Sequence, residues 1–408
     1  MSQNILIAGA GLGGLTAALA LVRNGHRVQV FEQAAALGEV GAGVQLSANA
    51  TRVLHALGLE QALQAVASSP AGKEVRLWST GQTWKLFDLG GTSISQYGHP
   101  FYTVYRPDLH KVLVDALEAA QPGAIELNAR CVGCDVTDSG AVLHLADGRA
   151  VHGAALIGAD GVHSKIRATL FGGDAPTFSG CLAWRGVIPA NRLPEQLRRP
   201  IGTNWIGPGG HVIHYPMRRG ELVNFVGIVE RDDWTVESWN TAGTTGECLE
   251  DFSGWHADVH TLINNIEIPF KWALMQREPM PTWSSGKVTL LGDACHPTLP
   301  FLAQGAAMAI EDGAVLARCL ALPRPVEDSF RAYEAARLER TSRIVRGSAE
   351  NARRFHNPKL ASTDGAIEYV NNEWSEARVR ERYHWLFDYK FDEAAISSEI
   401  KRTSNGTS

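Results

Sequence analysis

Cysteine is scarce, with six in 408 residues. That is too few for a disulfide-stapled scaffold, and a cytoplasmic protein is the default expectation. A surplus of positive charge is missing too. Lys plus Arg number 38 against 43 Asp plus Glu, a net charge of −5, which argues against a chain held on nucleic acid mainly by phosphate contacts. No apolar run reaches the roughly 18 residues that a membrane-spanning helix needs. The N-terminus passes from Met1-Ser2-Gln3-Asn4 straight into Ile5-Leu6-Ile7, with no basic segment or cleavage site, so no secretory leader is expected. What remains is an ordinary globular balance of 45% apolar and 20% charged residues. At roughly 150 residues per domain the length suggests two or three structural units. Glycine is in excess, 41 residues, and its clusters direct the reading.

The first cluster lies in residues 4–32, NILIAGAGLGGLTAALALVRNGHRVQVFE. Ile5 to Ala8 reads as a buried parallel strand. Gly9, Gly11 and Gly14 give G-x-G-x-x-G, an Ala/Leu-rich helix runs to about Arg23, and Val28 to Phe31 make a second strand. Glu32 closes that strand, 18 residues after Gly14, and Gln33 follows it. Strand, glycine turn, helix, strand and acid together make the dinucleotide fingerprint. Gly9 permits the turn, Gly11 lets backbone approach a pyrophosphate, and Gly14 lets helix and strand pack. The helix start offers free N–H groups and a positive dipole end. Glu32 can accept from a ribose diol. The fingerprint alone leaves NAD and FAD open.

Further along, Gly38, Gly41 and Gly43 allow a loop close to something flat or bulky, and Asn49 to Leu57 looks helical. VYRPDLHKVLVDALEAA at 104–120 has Pro107 at a helix start and an apolar face at Leu109, Val112, Leu113, Ala116 and Leu117. Arg106 sits just before that helix. Cys131 and Cys134 form a C-x-x-C in a strand-like stretch, with no second ligand pair for zinc and no helix start for a redox role, so packing is the expectation. Asp147-Gly148 signals a turn. ALIGADGVHSKIR at 155–167 has a strand end, a turn at Asp160-Gly161 placed for a second phosphate contact, and Ser164 as a helix cap. From about Gly180 to Trp283 short β-rich runs dominate, with room for a helix in 246–266. Residues 284–320 return to strand, Gly292-Asp293, and a helix from Gly305 to about Leu320, with Glu311 and Arg318 on its solvent face. The stretch to about Lys390 looks helical, and the last polar residues are expected to fray.

GAGLGG, GADGVHSKIR and LLGDACHPTLPFLAQGAAMAIEDG, in that order, resemble the single-component FAD-dependent aromatic hydroxylases, the para-hydroxybenzoate hydroxylase-like class, over about residues 3 to 350. The likeness is strongest to hydroxylases of salicylate, 3-hydroxybenzoate and 6-hydroxynicotinate. It implies an α/β fold: a Rossmann-like FAD-binding domain from 1–73, 99–177 and 284–355, an inserted β-sheet substrate domain from 74–98 and 178–283, and a helical segment with tail at 356–408. It implies FAD held by Gly9, Gly11, Gly14, Glu32, Gln33, Arg106, Asp160 and Asp293, with Gly305, Ala306 and Ala307 beside the flavin ring. NADH or NADPH and O2 are the implied co-substrates, with no metal, and a homodimer is common in the class.

The implied substrate is a small phenolic aromatic acid, salicylate-type first. The alternatives are 3-hydroxybenzoate, 6-hydroxynicotinate or another hydroxylated ring, and, in a different class, non-catalytic flavin binding. Such a ring needs a base for its hydroxyl and a dry pocket. In HVIHYPM, His211 and Tyr215 share one strand face and His214 the other, and the resembling hydroxylases carry a histidine and a tyrosine at this spacing. His296 is expected to shape the flavin loop rather than act as a base. Phe301 and Phe101 stand where relatives of this class carry histidine and tyrosine. Arg185 or backbone N–H groups are the candidates for a carboxylate. A halogenase would want a W-x-W-x-I-P segment where this chain offers only AWRGVIP, and an NAD dehydrogenase would not need the GDACHP and DG motifs.

Overall fold

Ile5, Leu6, Ile7 and Ala8 are all completely buried, as an apolar run without alternation requires of a strand covered on both faces. The computed structural model, which describes residues 2–38, 42–173, 175–233 and 241–396, places Asn4–Ala8 inside a six-stranded sheet. It pairs in parallel with Arg27–Phe31 on one side and Ala155–Gly158 on the other. Val288–Leu290 follows beside Ala155–Gly158, and Ile125–Glu126 beside Arg27–Phe31. The turns after Ala8, Gly158 and Leu290 therefore leave neighbouring parallel strands at one carboxyl-terminal edge. In open α/β sheets that edge is where ligands bind. Three motifs far apart in sequence are brought together by strand pairing alone.

Helix Leu12–Arg23 ends at Asn24, with Gly25 at φ 84° turning the chain. It packs against helix Gly305–Leu320 almost backbone to backbone: a Cβ on Gly313 would lie 2.7 Å from the Ala17 nitrogen. Both helices are rich in small residues, and that is the reason they can approach so closely.

A seven-stranded sheet makes the second layer. Its order is Phe270–Gln276, Thr177–Pro189, Leu222–Glu230, Gly210–Met217, Ile201–Gly207, Gly72–Leu77 and Thr83–Asp88. One face buries Trp184, Trp205, Val212 and Phe225 with helices Thr245–Asp251 and Ala257–Asn264. The span expected to hold one helix thus holds two, broken by Gly254 at φ 78° and restarted where the His256 ring accepts from the Asp258 amide. The other face contacts Leu299, Phe301 and Phe355.

Cys131–Val136, Ala141–Leu145 and Ala150–Gly153 form a three-stranded sheet, with Gly148 (φ 90°) in the expected turn. Cys131 and Cys134 are free, and burial pushes both thiols up to about 12. Helices Val326–Phe355, Thr363–Glu373 and Glu376–Phe387 complete the chain. Gly41 and the tail from residue 397 lie outside the described residues. No helix among the described residues is long and apolar enough to cross a membrane.

Candidate active site

The glycine turn is built for contact on one side and for space on the other. Gly9 has φ 103°, and a Cβ there would fall 2.4 Å from the Ala159 carbonyl oxygen; a Cβ on Gly14 would fall 2.2 Å from that of Gly9. Around Gly11, by contrast, a Cβ would meet nothing within 4 Å. Helix Leu12–Arg23 starts there with no side-chain cap, so its first N–H groups face open space. Glu32 accepts from the Ala10 and Ala34 amides, each at 2.9 Å, and Gln33 is exposed in the bend that follows. An uncapped helix start beside an oriented carboxylate fits the pyrophosphate and ribose of a dinucleotide.

Asp160 lies where expected, one residue beyond the Ala159 carbonyl that Gly9 approaches. Its carboxylate, however, is engaged at the start of helix Lys165–Phe171. It accepts from Ser164 Oγ at 2.5 Å, from the Lys165 amide at 2.7 Å and from the Ile166 amide at 3.2 Å. Ser164 caps the same helix through the Arg167 amide. The local work of Asp160 is to hold this turn against Gly9.

Asp293, in the short turn Gly292–Ala294, is exposed between buried Gly292 and Ala294. Protein nonetheless crowds it. Burial, helped by Asp312, raises its carboxyl above the ordinary value, while His296 and Arg106 oppose. It therefore lines an internal cleft rather than the outer surface. Arg106, the first residue of helix Arg106–Ala120, is attracted by Asp293 but held below its ordinary value by burial. Helix Gly305–Leu320 opens into the same region from Gln304, also without a side-chain cap, after Ala303 turns the chain at φ 52°. Gly305 and Ala306 are half-buried and Ala307 is fully buried. The fit is to a flat cofactor ring at a positive helix end, reached by a chain lying past Asp293 and Arg106.

Across the cleft stands the inner face of the seven-stranded sheet. Mid-strand residues Asn204, Ile213 and Val226 keep accessible surface there, so a space opens over the middle of the face. His211 and Tyr215 do share this face, and His214 points to the other. His214 sits with Arg76 and Arg199, and burial pulls its pKa down to about 3. His211 is completely buried beside Phe301, Phe355 and His356, with ring centroids at 5.5, 4.8 and 5.0 Å. Its Nδ1 lies 2.7 Å from His356 Nε2. Burial raises the Tyr215 phenol, against a hydrogen bond from Gln45. Tyr215 also packs so tightly on Gly43, the first residue of strand Gly43–Leu46, that a Cβ there would lie 2.4 Å from its hydroxyl.

Lys73 is a candidate site residue that the sequence reading did not single out. It pairs with Gly202, whose neighbour Thr203 pairs with His214, and the same register carried one step on puts Lys73 in the row of Tyr215. Its Nζ donates to Gln45 Oε1 at 2.6 Å and lies 5.0 Å from the centre of the Phe101 ring and 5.9 Å from that of Phe87. Burial pulls its ammonium down to about 8, although it keeps some accessible surface toward the cleft. No carboxylate among the described residues pairs with it. The only sequence signal was a lysine in register with the inward positions Val75 and Leu77. Arg185, 5% exposed, lies over Phe270 and Trp272 on the same sheet face, and burial together with Arg106 brings it down to about 10.

One expectation is corrected. Glu311 is not on a solvent face; it is completely buried. Asn49 Nδ2 donates to it at 2.6 Å, and Arg337 and Arg340 pair with it at 2.6 and 2.8 Å. Arg337 also pairs with Asp312 at 2.7 Å, and Asp312 meets His296 Nε2 at 2.7 Å. Gln304 joins this network through Asn49 and Ser47, both at 3.0 Å. A helix period reads charges as exposed; here two arginines on helix Val326–Phe355 make burial tolerable. Burial works against a charged His296, Cys295 and Asp312 work for it, and the balance lies well above its ordinary value. His296 braces the loop through its contact with Asp312.

The sequence profile of the family described as FAD binding domain matches residues 2–348. The chain is 38% identical over 399 residues to a 3-amino-4-hydroxybenzoate 2-monooxygenase of Streptomyces platensis, covering 97% of each protein. It is 38% identical over 356 residues to the 6-hydroxynicotinate 3-monooxygenase of Pseudomonas fluorescens, covering 86% of this chain and 91% of that protein. Among solved structures, a salicylate hydroxylase substrate complex superposes with a TM-score of 0.78 at 26% identity, covering 96% of each chain.

Proposed function

This chain belongs to the FAD-binding-domain family, and from that premise we infer that it is an FAD-dependent monooxygenase acting on an aromatic substrate. The substrate we propose is a small aromatic acid already bearing a ring hydroxyl, with that hydroxyl remote from the carboxylate. The leading sequence expectation, a salicylate-type ring, gives way on this point. The two relatives at 38% identity are named for rings with the hydroxyl para to the carboxylate.

The observation that carries the proposal is the two-ended character of the cleft. Lys73, in the row of Tyr215, offers a cation at one end; at the other His211, completely buried beside Phe301 and Phe355, carries a ring nitrogen without a partner. Four strand positions separate the two rows, about 13 Å at the usual rise. That is roughly the length of a para-substituted ring plus a hydrogen bond of about 2.8 Å at each end. Arg185 is a second cation on the same face.

Gly9, Gly11, Gly14, Glu32, Arg106 and Asp293 would hold FAD, with Gly305 to Ala307 beside its ring. Once reduced by NADH or NADPH, FAD supplies an electrophilic oxygen atom derived from O2. The chain's own residues prepare the ring for it. Lys73 and Tyr215 hold the carboxylate. His211 accepts the hydroxyl proton, and the aryloxide so formed is richer in electrons at its ortho and para carbons. Phe101 and Phe301 keep the space dry. The start of helix Gly305–Leu320 favours negative charge on the flavin ring.

The test is a substrate panel: 3-hydroxybenzoate, 4-hydroxybenzoate, 3-amino-4-hydroxybenzoate, 6-hydroxynicotinate, salicylate and phenol, each scored for stimulated NADH or NADPH oxidation with product identification. Hydroxylation of one or more of the acids whose hydroxyl is not ortho to the carboxylate is expected. Turnover of salicylate or phenol alone would overturn the substrate class and leave the monooxygenase assignment standing.

A further inference from the structure

Glu230 ends the strand Leu222–Glu230, and its side chain is 56% exposed. Its Oε1 lies 2.9 Å from Nδ1 of His356. The Nε2 of His356 lies 2.7 Å from Nδ1 of His211. The remaining ring nitrogen of His211, Nε2, is buried and has no hydrogen-bond partner. Two contacts therefore join an unsatisfied nitrogen in the interior to a carboxylate in water.

Chemistry gives this chain of contacts a direction. The hydrogen bond from His356 holds the Glu230 carboxyl below its ordinary value, with burial opposing, so near neutral pH it is ionised. An ionised carboxylate only accepts. A neutral His356 then carries its proton on Nδ1, which leaves its Nε2 as an acceptor. That acceptor takes the Nδ1–H of His211. The Nε2 of His211 is left with a bare lone pair, and a neutral histidine without such a partner would be free to choose the other tautomer.

We propose that Glu230 and His356 are positioning residues that fix His211 in its accepting tautomer and carry the substrate's hydroxyl proton to solvent. This rests on the reading above that His211 meets the substrate hydroxyl. In the step, the substrate O–H bond breaks and its proton joins Nε2 of His211. The Nδ1 proton of His211 passes to Nε2 of His356. The Nδ1 proton of His356 passes to the Glu230 carboxylate, and water removes it. One proton enters, one leaves, and nothing is oxidised or reduced.

The surroundings favour passing the proton on. Burial holds the His211 ring well below its ordinary value, so a lasting imidazolium is disfavoured there. Phe301 and Phe355 flank His211 and carry no charge. Cys181 lies opposite Glu230 on the neighbouring strand, with burial raising its thiol to about 11. The next residue, Arg231, is taken up by Asp233 and Asp251.

The experiment reads the ionisation of a bound phenol in oxidised, FAD-loaded enzyme. The probe is 4-hydroxy-3-nitrobenzoate, whose aryloxide absorbs at longer wavelength than the phenol. Wild type should bind it as the aryloxide, with an apparent pKa at least about one unit, tenfold in ionisation, below that of the free acid. Glu230→Gln and His356→Asn should each lose most of that shift. Each should also slow proton release to an external indicator about tenfold or more in stopped flow. Glu230→Asp should restore part of both. Glu230 is largely exposed, and an unchanged flavin spectrum checks that the variants are folded. If His211→Asn abolishes the shift while Glu230→Gln and His356→Asn leave ionisation and release rate at wild-type values, the relay is wrong and His211 remains the base. If His211→Asn leaves them unchanged as well, the reading of His211 fails, and the relay with it.

Discussion

Replacing Lys73 by methionine should make the substrate-free enzyme more stable and the substrate complex weaker. Burial lowers the Lys73 ammonium from 10.5 to about 8. At 1.36 kcal/mol per unit this is about 3 kcal/mol of cost for keeping the charge in a dry cleft, and less in proportion to the water the cleft holds. Gln45 and the rings of Phe101 and Phe87 stay in place to pack against the thioether. A gain of about 1–3 kcal/mol at pH 7 is therefore expected for Lys73→Met. The sign of the pH dependence follows from proton counting. Between pH 8 and 10.5 the unfolded lysine still holds a proton that the folded one has lost, so wild-type stability should rise with pH across that window, and the variant should lack the rise. Below pH 8 both states are protonated and the full cost is present. With an aromatic acid bound, the balance reverses. A hydrogen bond to a charged group is worth about 1.5–3 kcal/mol, so affinity should fall roughly tenfold to 150-fold. Urea unfolding followed from pH 7 to 10, and ligand titration by perturbation of the flavin spectrum, measure both halves. A variant that is less stable at pH 7 and binds the acid as tightly as wild type would refute the argument.

Arg337→Met removes the shared partner of Glu311 and Asp312, both completely buried. Breaking such a cluster on one side costs about 3–5 kcal/mol, so a clear drop in the urea midpoint is expected, and stability within 1 kcal/mol of wild type (roughly, on the same scale) would show that the network is dispensable. Asp293→Ala should lower FAD occupancy in the purified protein, read from the ratio of flavin to protein absorbance, while the far-ultraviolet circular dichroism stays native; full occupancy would remove Asp293 from the cofactor site.

Much of this was legible in the sequence wherever a short-range rule governs. The spacing of Gly9, Gly11 and Gly14 dictates a turn whatever lies elsewhere, and the clashes that a Cβ would make at Gly9 and Gly14 are its physical content. The period of two in a strand put His211 and Tyr215 on one face and His214 on the other, as found. What escaped was set by partners remote in the chain. Glu311 looked solvent-facing because its arginine partners belong to another helix. Lys73 looked ordinary because Gln45 and Phe101, which meet its ammonium, lie elsewhere in the chain. The contacts of His356 to His211 and Glu230 span 145 and 126 residues, and no local pattern announces them. Asp160 was legible as a turn residue but not as the acceptor for Ser164 and the amides of Lys165 and Ile166.

The most direct measurement supplies the purified enzyme with FAD, NADH and isotopically labelled dioxygen, together with each hydroxylated aromatic acid of the panel in turn, and follows the label by mass spectrometry. At least one of these acids should gain a ring hydroxyl that carries one labelled oxygen atom for each NADH consumed, the second atom leaving as water. Products without label, or NADH consumed only to make peroxide with every acid tested, would contradict the assignment of this chain as a hydroxylase of phenolic aromatic acids.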